Sequence, residues 1–282
     1  MRRLFSWVWE STFGPELRQV EADSLAYRNS PAGRQLDSKT VIVLLTVAVS
    51  LTIQNFAAYP GSVAPVVGFV ARQVGGAGAD AAAREWLAER ASTQLGQLTW
   101  WACSAYTTYV LIPLLVVVFV LREKPTDYGL KLRGWYHGWK LYLVFVAVMV
   151  PIVWVFSAEA RFQQSYPFYK VNVAADVGEA FVRWEILYAL QFVALEFFFR
   201  GFLVHGTKHR FGAYSAFVMT VPYCMIHFGK PMPECVASII AGVALGLVSL
   251  STRSVWLGAA LHVSVAWGMD ICALSRRGLI GW

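Results

Sequence analysis

Long uncharged runs bounded by charged residues divide the chain into segments of similar length. About 20 consecutive apolar residues cross the core of a bilayer as an α-helix. The fifth run is short, which predicts a tilted or partly re-entrant helix. The pattern therefore predicts an all-α, polytopic transmembrane helical bundle. Its seven predicted spans are Thr40 to Ala58, about Leu98 to Leu121, Leu141 to Ala158, Arg183 to about Leu203, Tyr214 to Phe228, Cys235 to Ser251, and Ser254 to Leu274.

Composition leads to the same class of protein. Of the 282 residues, 57% are hydrophobic and only 15% are charged, which excludes an ordinary soluble domain. The net charge of +7 is typical of membrane proteins, which concentrate Lys and Arg in cytoplasmic loops. No nucleic-acid motif is visible, so the expected partners are the lipid bilayer and a membrane-associated substrate. The four cysteines lack the paired spacing of zinc or disulfide sites, which predicts buried thiols.

The positions of Lys and Arg predict the orientation of the chain. Residues 1–39 hold six of them, and five follow the second span between Arg122 and Lys140. The loops around Gly75 to Arg90 and Arg161 to Val177 are poorer in positive charge and carry acids. We therefore expect a cytoplasmic N-terminus. With no cleavable signal peptide in evidence, the first helix is expected to stay as an anchor, which suits a bacterial inner membrane.

Three regions are predicted along the chain: residues 1–39 as a cytoplasmic N-terminal segment, 40–124 as two helices with an external loop, and 125–282 as the core that carries the chemistry. Within the external loop, Gly75 to Arg90 is expected to be a flexible lead into a short surface helix. The sixth span has a face of small residues that favours close approach of another helix. These residues are Ala237, Ser238, Ala241, Gly242 and Gly246.

Ionisable residues inside the predicted spans are the strongest functional signal. Each costs roughly 2.5 to 3.5 kcal/mol on insertion scales, so each calls for a partner or a task. In the fourth span, Glu196 and Arg200 lie four residues apart on one helical face, a spacing suited to an ion pair. Glu185 falls near the same face. A purely structural pair that pins two helices together is the alternative interpretation of Glu196 and Arg200.

Two histidines on other spans favour a functional interpretation of Glu196 and Arg200 over a purely structural one. His227 ends the fifth span and His262 lies in the seventh; either one alone is more often a core residue. Together with Glu196 they match a hydrolytic divalent metal site, such as zinc, or a carboxylate that activates water beside imidazoles. Asp270, two turns after His262, is a candidate to orient an imidazole or to act as a ligand. Glu234 is more simply interpreted as a helix cap.

At these residues the sequence resembles the CAAX-protease and bacteriocin-processing family of intramembrane proteases. The resemblance covers roughly residues 125 to 275. The family pattern is Glu-Glu-x-x-x-Arg, often continued as Phe-Arg-Gly, then an aromatic residue with x-x-x-His, and then His-x-x-x-Asn. The matching segments here are Leu195-Glu196-x-x-x-Arg200 with Phe199-Arg200-Gly201, Tyr223-x-x-x-His227, and His262-x-x-x-Ala266.

The resemblance implies roles for individual residues. In that family the first Glu and the second-motif His hold and activate water, while the third-motif His and Asn stabilise the oxyanion. His227 and His262 keep those roles, but Leu195 and Ala266 replace the first Glu and the Asn. Glu196 points about 100° away from Leu195 on a helix, so it substitutes for the missing Glu only if the helix rotates or a local bulge re-aims it. The two changes indicate either a shifted site or a lost protease activity.

Three functions follow. The first is hydrolysis of peptide bonds in membrane-associated substrates, such as prenylated C-termini, bacteriocin-like peptides or C-terminal sorting helices. The second is a non-catalytic membrane scaffold or immunity factor. The third is a small transporter or channel that uses Glu185, Glu196 and Asp270 as a relay. In an ideal bundle Glu196 lies about 20 Å from the external start of its helix, whereas His227 lies near the external end. Their meeting is a question of tertiary structure.

Overall fold

The structure, a computed structural model, describes residues 14–132 and 139–281. These residues form helices and no strand, and six of the helices are long and apolar enough to cross a membrane. The predicted all-α polytopic fold is confirmed, and the chain is an integral membrane protein. The six are α2 (Ser38–Ala57), α5 (Gln94–Val120), α6 (Trp139–Phe156), α8 (Glu179–Phe211), α10 (Met232–Thr252) and α11 (Trp256–Arg276).

Shorter helices join these spans. The predicted fifth span is α9, which has 12 residues and is therefore shorter than the roughly 20 residues that cross a bilayer core. Between α2 and α5 the expected surface helix is α4 (Ala77–Ala91). The segment before it, α3 (Pro60–Gly75), is also helical, so α3 and α4 form a hairpin. Gly76, with φ of 80°, provides the turn. The short helices are α1 (Gly14–Asn29), α3 (Pro60–Gly75), α4 (Ala77–Ala91), α7 (Ala160–Ser165) and α9 (Tyr214–Met225).

The chain divides into two compact units. Unit 1 contains the residues up to Ala48 together with Ile112–Val148 and Leu195–His262. Unit 2 contains Val49–Leu111, Met149–Ala194 and the chain from Val263 onward. Several long helices contribute one part to each unit, and the candidate residues are therefore assigned to a unit individually.

In unit 1, small residues let α9 and α10 pack closely. A β-carbon at Gly246 would lie 2.7 Å from the Ala216 β-carbon, and one at Gly242 would lie 2.9 Å from Thr220 Oγ1. The predicted small-residue face of α10 is confirmed, and its partner is α9. The close packing fixes the height and rotation of α9, and with it the position of Tyr223.

Unit 2 is built on aromatic side chains. Trp184 and Tyr188 on α8 are buried and stack with ring centroids 5.1 Å apart. Ala266 on α11 is buried against the same cluster. The Asn position of the family pattern is thus occupied by a small side chain in an apolar environment.

The cysteines do not all match the prediction of buried thiols. All four are free; Cys103 is exposed, and the other three are partly buried. The prediction is wrong for Cys103 because an apolar helix face directed toward lipid accommodates a thiol as readily as a protein core does.

Candidate active site

Helix α8 changes its winding directly after Glu196. Residues Phe197–His205 form a π-helical stretch, in which the i→i+5 bonding alters the direction of the side chains relative to an α-helix. Glu196 and Arg200 are fully buried, and Arg200 Nη1 lies 3.0 Å from Glu196 Oε1. The predicted ion pair is present, and the local distortion that a re-aimed glutamate requires lies beside it.

Helix α11 brings His262 to this carboxylate. His262 Nδ1 lies 2.6 Å from Glu196 Oε1, and His262 Nε2 lies 3.0 Å from the hydroxyl of Tyr223. The His262 side chain is 18% exposed, whereas the Glu196 side chain is 1% exposed. A buried carboxylate therefore fixes the orientation of a partly accessible imidazole, with Nδ1 as the donor and Nε2 as the acceptor.

Tyr223 is the central residue of the cluster. Its buried ring lies under the guanidinium of Arg200, with the Arg200 Cζ 3.9 Å from the ring centroid. This is a cation–π contact in a desolvated setting. In the sequence, Tyr223 is visible only as the aromatic residue of the second motif, and its hydroxyl was assigned no role. Only the meeting of α9 and α11 gives that hydroxyl a partner.

His227 lies just after the last residue of α9. Its Nδ1 donates to the main-chain oxygen of Tyr223 over 2.9 Å, and its ring meets the Tyr223 ring edge-on at 4.9 Å. This bond assigns the acceptor role to Nε2 in the neutral ring. Tyr223 thus contacts His227 through its backbone and His262 through its hydroxyl, so Glu196 is linked to His227 through two intermediates.

Two further carboxyl residues have partners of their own. Glu234 is in the first turn of α10 and pairs with Lys230 at 2.5 Å, in agreement with a role at the helix start. Asp270 belongs to unit 2, where its buried carboxyl group faces that of Glu185. The sequence named Asp270 as a candidate to orient His262. In the structure, Glu196 orients this imidazole.

The side chains of the tentative metal set do not converge on one point in this arrangement. Among the described residues, no group of three or more His, Cys, Asp or Glu side chains could hold a metal ion. Glu196 Oε1 and His262 Nδ1 are directed at each other, so these two atoms are not turned toward a shared ion with His227. Metal binding by the tentative set Glu196, His227 and His262 stays a prediction, and no chemical step below depends on it.

The chain was compared with models of known families. Residues 178–268 match the family model described as Rce1-like, type II CAAX prenyl endopeptidase. The matched segment contains Glu196, Arg200, Tyr223, His227 and His262. Searches of curated proteins and of solved structures give no match.

Proposed function

Because residues 178–268 match the Rce1-like family model of type II CAAX prenyl endopeptidases, we propose that this membrane protein hydrolyses a peptide bond at the Glu196–His262 pair. The contact of 2.6 Å between these two side chains carries the proposal. It joins a buried carboxylate to an imidazole that is partly exposed. The same relationship orients the catalytic histidine in hydrolases of unrelated fold.

In the proposed reaction, His262 is the general base. Its Nε2 takes a proton from a water molecule while the water oxygen attacks the carbonyl carbon of the substrate. Glu196 holds the Nδ1 proton and stabilises the imidazolium that forms. The proton on Nε2 then passes to the leaving amine as the C–N bond breaks. Arg200 keeps Glu196 ionised by its charge and has no direct role in proton transfer.

Tyr223 and His227 have supporting roles in this scheme. When water occupies His262 Nε2, the Tyr223 hydroxyl is released from that nitrogen and donates to the oxyanion of the tetrahedral intermediate. His227 Nε2 accepts a hydrogen from the attacking water and orients it. These assignments differ from the pattern that the resemblance implies, because Glu196 pairs with His262 and the family's Asn is replaced by Ala266.

The proposed substrate is a membrane-associated protein cleaved near a lipid-modified C-terminus. The apolar surroundings of the site and the family of residues 178–268 support this class. A partly exposed His262 beside a fully buried Glu196 requires the peptide to approach from the side of the histidines.

A cleavage assay tests the proposal. The full chain is reconstituted in liposomes with an internally quenched, prenylated CAAX peptide, and fluorescence is followed over time. We expect Glu196→Gln and His262→Gln each to lower the rate by at least about 100-fold. Glu159→Gln, a change at an exposed carboxylate outside the spans, is the matched control and should leave the rate unchanged. Full activity of Glu196→Gln would contradict the proposal.

A binding role without catalysis is the second candidate. It is favoured by Ala266, which packs against Trp184 and Tyr188 at the position where the family has its Asn. Such a scaffold would bind the prenylated peptide and leave it intact. The wild type and the Glu196→Gln variant would then bind the peptide with the same affinity. Turnover by the wild type that is lost in Glu196→Gln would exclude it.

A further inference from the structure

A cluster of basic residues lies in unit 1 apart from the Glu196–His262 pair. We propose that Lys208 and Arg253, supported by Lys131, form a binding site for the phosphate of an anionic lipid headgroup. The site would hold a lipid of the leaflet at which α8 and α10 end. It does not rest on the proposed peptidase function, because Lys208 is held by His205 and His205 by Ser249, and neither partner has a role in the proposed reaction.

Contacts around Gly129 bring these cations together. The Val255 N–H donates to the Gly129 oxygen over 3.1 Å. Arg253 is two residues before Val255 and Lys131 is two residues after Gly129, so this hydrogen bond brings their backbones close together. A β-carbon at Gly129 would lie 3.6 Å from His205 Nε2. His205 Nδ1 in turn lies 3.1 Å from Lys208 Nζ. Lys131, Lys208 and Arg253, which belong to three separate segments of the chain, thus lie in the region around His205.

His205 holds Lys208 in place without neutralising it. The histidine is 4% exposed, and its Nε2 lies 3.0 Å from the Ser249 hydroxyl. An ammonium group has only donors, so the contact with Lys208 requires Nδ1 to be the acceptor and Nε2 to carry the hydrogen. The imidazole is therefore neutral. The ammonium of Lys208 is therefore positioned by a neutral partner, which does not offset its charge.

The acidic residues of the region are occupied by other cations. Glu123 binds Lys39 at 2.8 Å, and Asp127 lies 3.8 Å from Lys131. In the described part of the chain, no carboxylate lies within ion-pair distance of Lys208 or Arg253. Lys208 is also subject to the repulsion of Arg253, Lys39 and Lys131 and to the attraction of Asp127, so nearby cations outnumber nearby carboxylates. An external anion that binds beside Lys208 would balance this excess of positive charge around a half-buried ammonium group.

Arg253 occupies a backbone conformation that favours glycine. Its φ is 52° and it forms the left-handed C-cap of α10, a position where glycine carries no steric cost. The conformation carries a backbone cost that favourable contacts of the side chain offset. One of these is the favourable interaction of a cation with a helix C-terminus. A phosphate between Arg253 and Lys208 accounts for the convergence of both cations.

The position along the spans identifies the ligand as a lipid. Lys208 is three residues before the end of α8, and Arg253 directly follows Thr252 at the end of α10. Ends of spans lie at the depth of the headgroups, where Lys and Arg attract anionic lipids. Arg and Lys are also the side chains that bind phosphate oxygens most effectively.

Lipid binding to the purified full chain tests the site. The protein in neutral detergent is titrated with phosphatidylglycerol or phosphatidylcholine, and bound lipid is counted by native mass spectrometry. We expect preferential binding of phosphatidylglycerol. Lys208→Gln and Arg253→Gly should each weaken it by about fivefold. Arg253→Gly removes the charge while relieving the left-handed strain, so a folded variant is expected.

Arg122→Gly is the matched control. Arg122 is the other non-glycine residue with positive φ in the described chain, at 56°, so its replacement makes the same backbone and charge change. It should leave phosphatidylglycerol binding unchanged. An equal loss in Arg122→Gly and Arg253→Gly would show unspecific attraction to the surface and overturn the site. Equal thermal stabilisation by inorganic phosphate and by phosphatidylglycerol would overturn the lipid as the ligand.

Discussion

Gly258 lies against the carboxylate of Glu196. A β-carbon at position 258 would stand 2.3 Å from Glu196 Oε2, closer than any van der Waals contact allows. Gly258 precedes His262 by one turn of α11, so the same face of the helix provides the space for the carboxylate and the imidazole that binds it. The glycine is therefore part of the geometry that joins α8 and α11 at the site.

Gly258→Ala should separate this pair. The added methyl group forces either the Glu196 carboxylate or α11 to move, and we expect peptide cleavage to fall by about tenfold to 100-fold. Gly268→Ala on the same helix is the control, since a β-carbon there meets nothing within 4 Å. A helix interior gains about 0.5 to 1 kcal/mol from alanine, so Gly268→Ala should be fully active and at least as stable as the wild type. Cleavage rates and unfolding temperatures of both variants decide the question.

Tyr223→Phe removes only the hydroxyl group and therefore tests its role. The ring stays over Arg200, so folding should be nearly unchanged, while the oxyanion donor and the contact with His262 are lost. We expect kcat to fall by about 100-fold to 1000-fold with little change in KM. Tyr214→Phe, at an exposed ring of the same helix, should behave as the wild type. A fall confined to KM would assign the hydroxyl to substrate binding instead.

Arg200→Met should destabilise the protein strongly. Removal of one partner of a buried ion pair leaves an uncompensated charge and costs about 3 to 5 kcal/mol. The double variant Glu196→Gln/Arg200→Met should recover part of that loss, because neither charge then remains. Arg183→Met, which breaks the exposed pair with Glu179 on the same helix, should cost less than about 1 kcal/mol. Denaturant unfolding in detergent measures all three variants; equal losses for Arg200→Met and Arg183→Met would contradict a buried pair.

The environment of Glu123 predicts that the stability of the folded protein falls at acidic pH. Burial acts to raise the pKa of this carboxyl group, but hydrogen bonds from Lys39 and Tyr128 and the charge of Lys39 hold it below its usual value. A lowered pKa in the folded state gives stability that is present above the ordinary value of about 4.3 and is lost as the pH falls through the folded value. Wild type should therefore be more stable than Glu123→Gln at neutral pH.

The difference between these two proteins should close on acidification below about pH 4. Glu159→Gln, at an exposed carboxylate, should follow the wild-type curve at every pH. Unfolding temperatures between neutral and acidic pH provide the measurement. A difference that stays constant over the whole range would show that Glu123 contributes through packing and not through its charge.

The sequence by itself determined the membrane fold. Lipid offers no hydrogen bonds to the backbone, so an apolar run of sufficient length is helical whatever its neighbours are. All seven predicted spans are helices, including the short α9, and the small residues of α10 correctly indicated a close partner. The end of α8 was predicted at about Leu203 but lies at Phe211, because the polar residues 205–210 are held by contacts within unit 1 that no local pattern reveals.

The residues of the site were also visible in the sequence, since charge inside an apolar run is conspicuous and the motif spacing is specific. Their partners were not. The sequence left open whether Glu196 meets His227, and it named Asp270 as a candidate to orient an imidazole. In the structure Glu196 pairs with His262, and Tyr223 contacts both histidines. Helical phase fixes directions only within one helix, and the π-helical stretch after Glu196 changes even those. Which side chains meet depends on the rotation and depth of three helices, and these are set by close contacts such as Gly258 against Glu196 and Gly246 against Ala216.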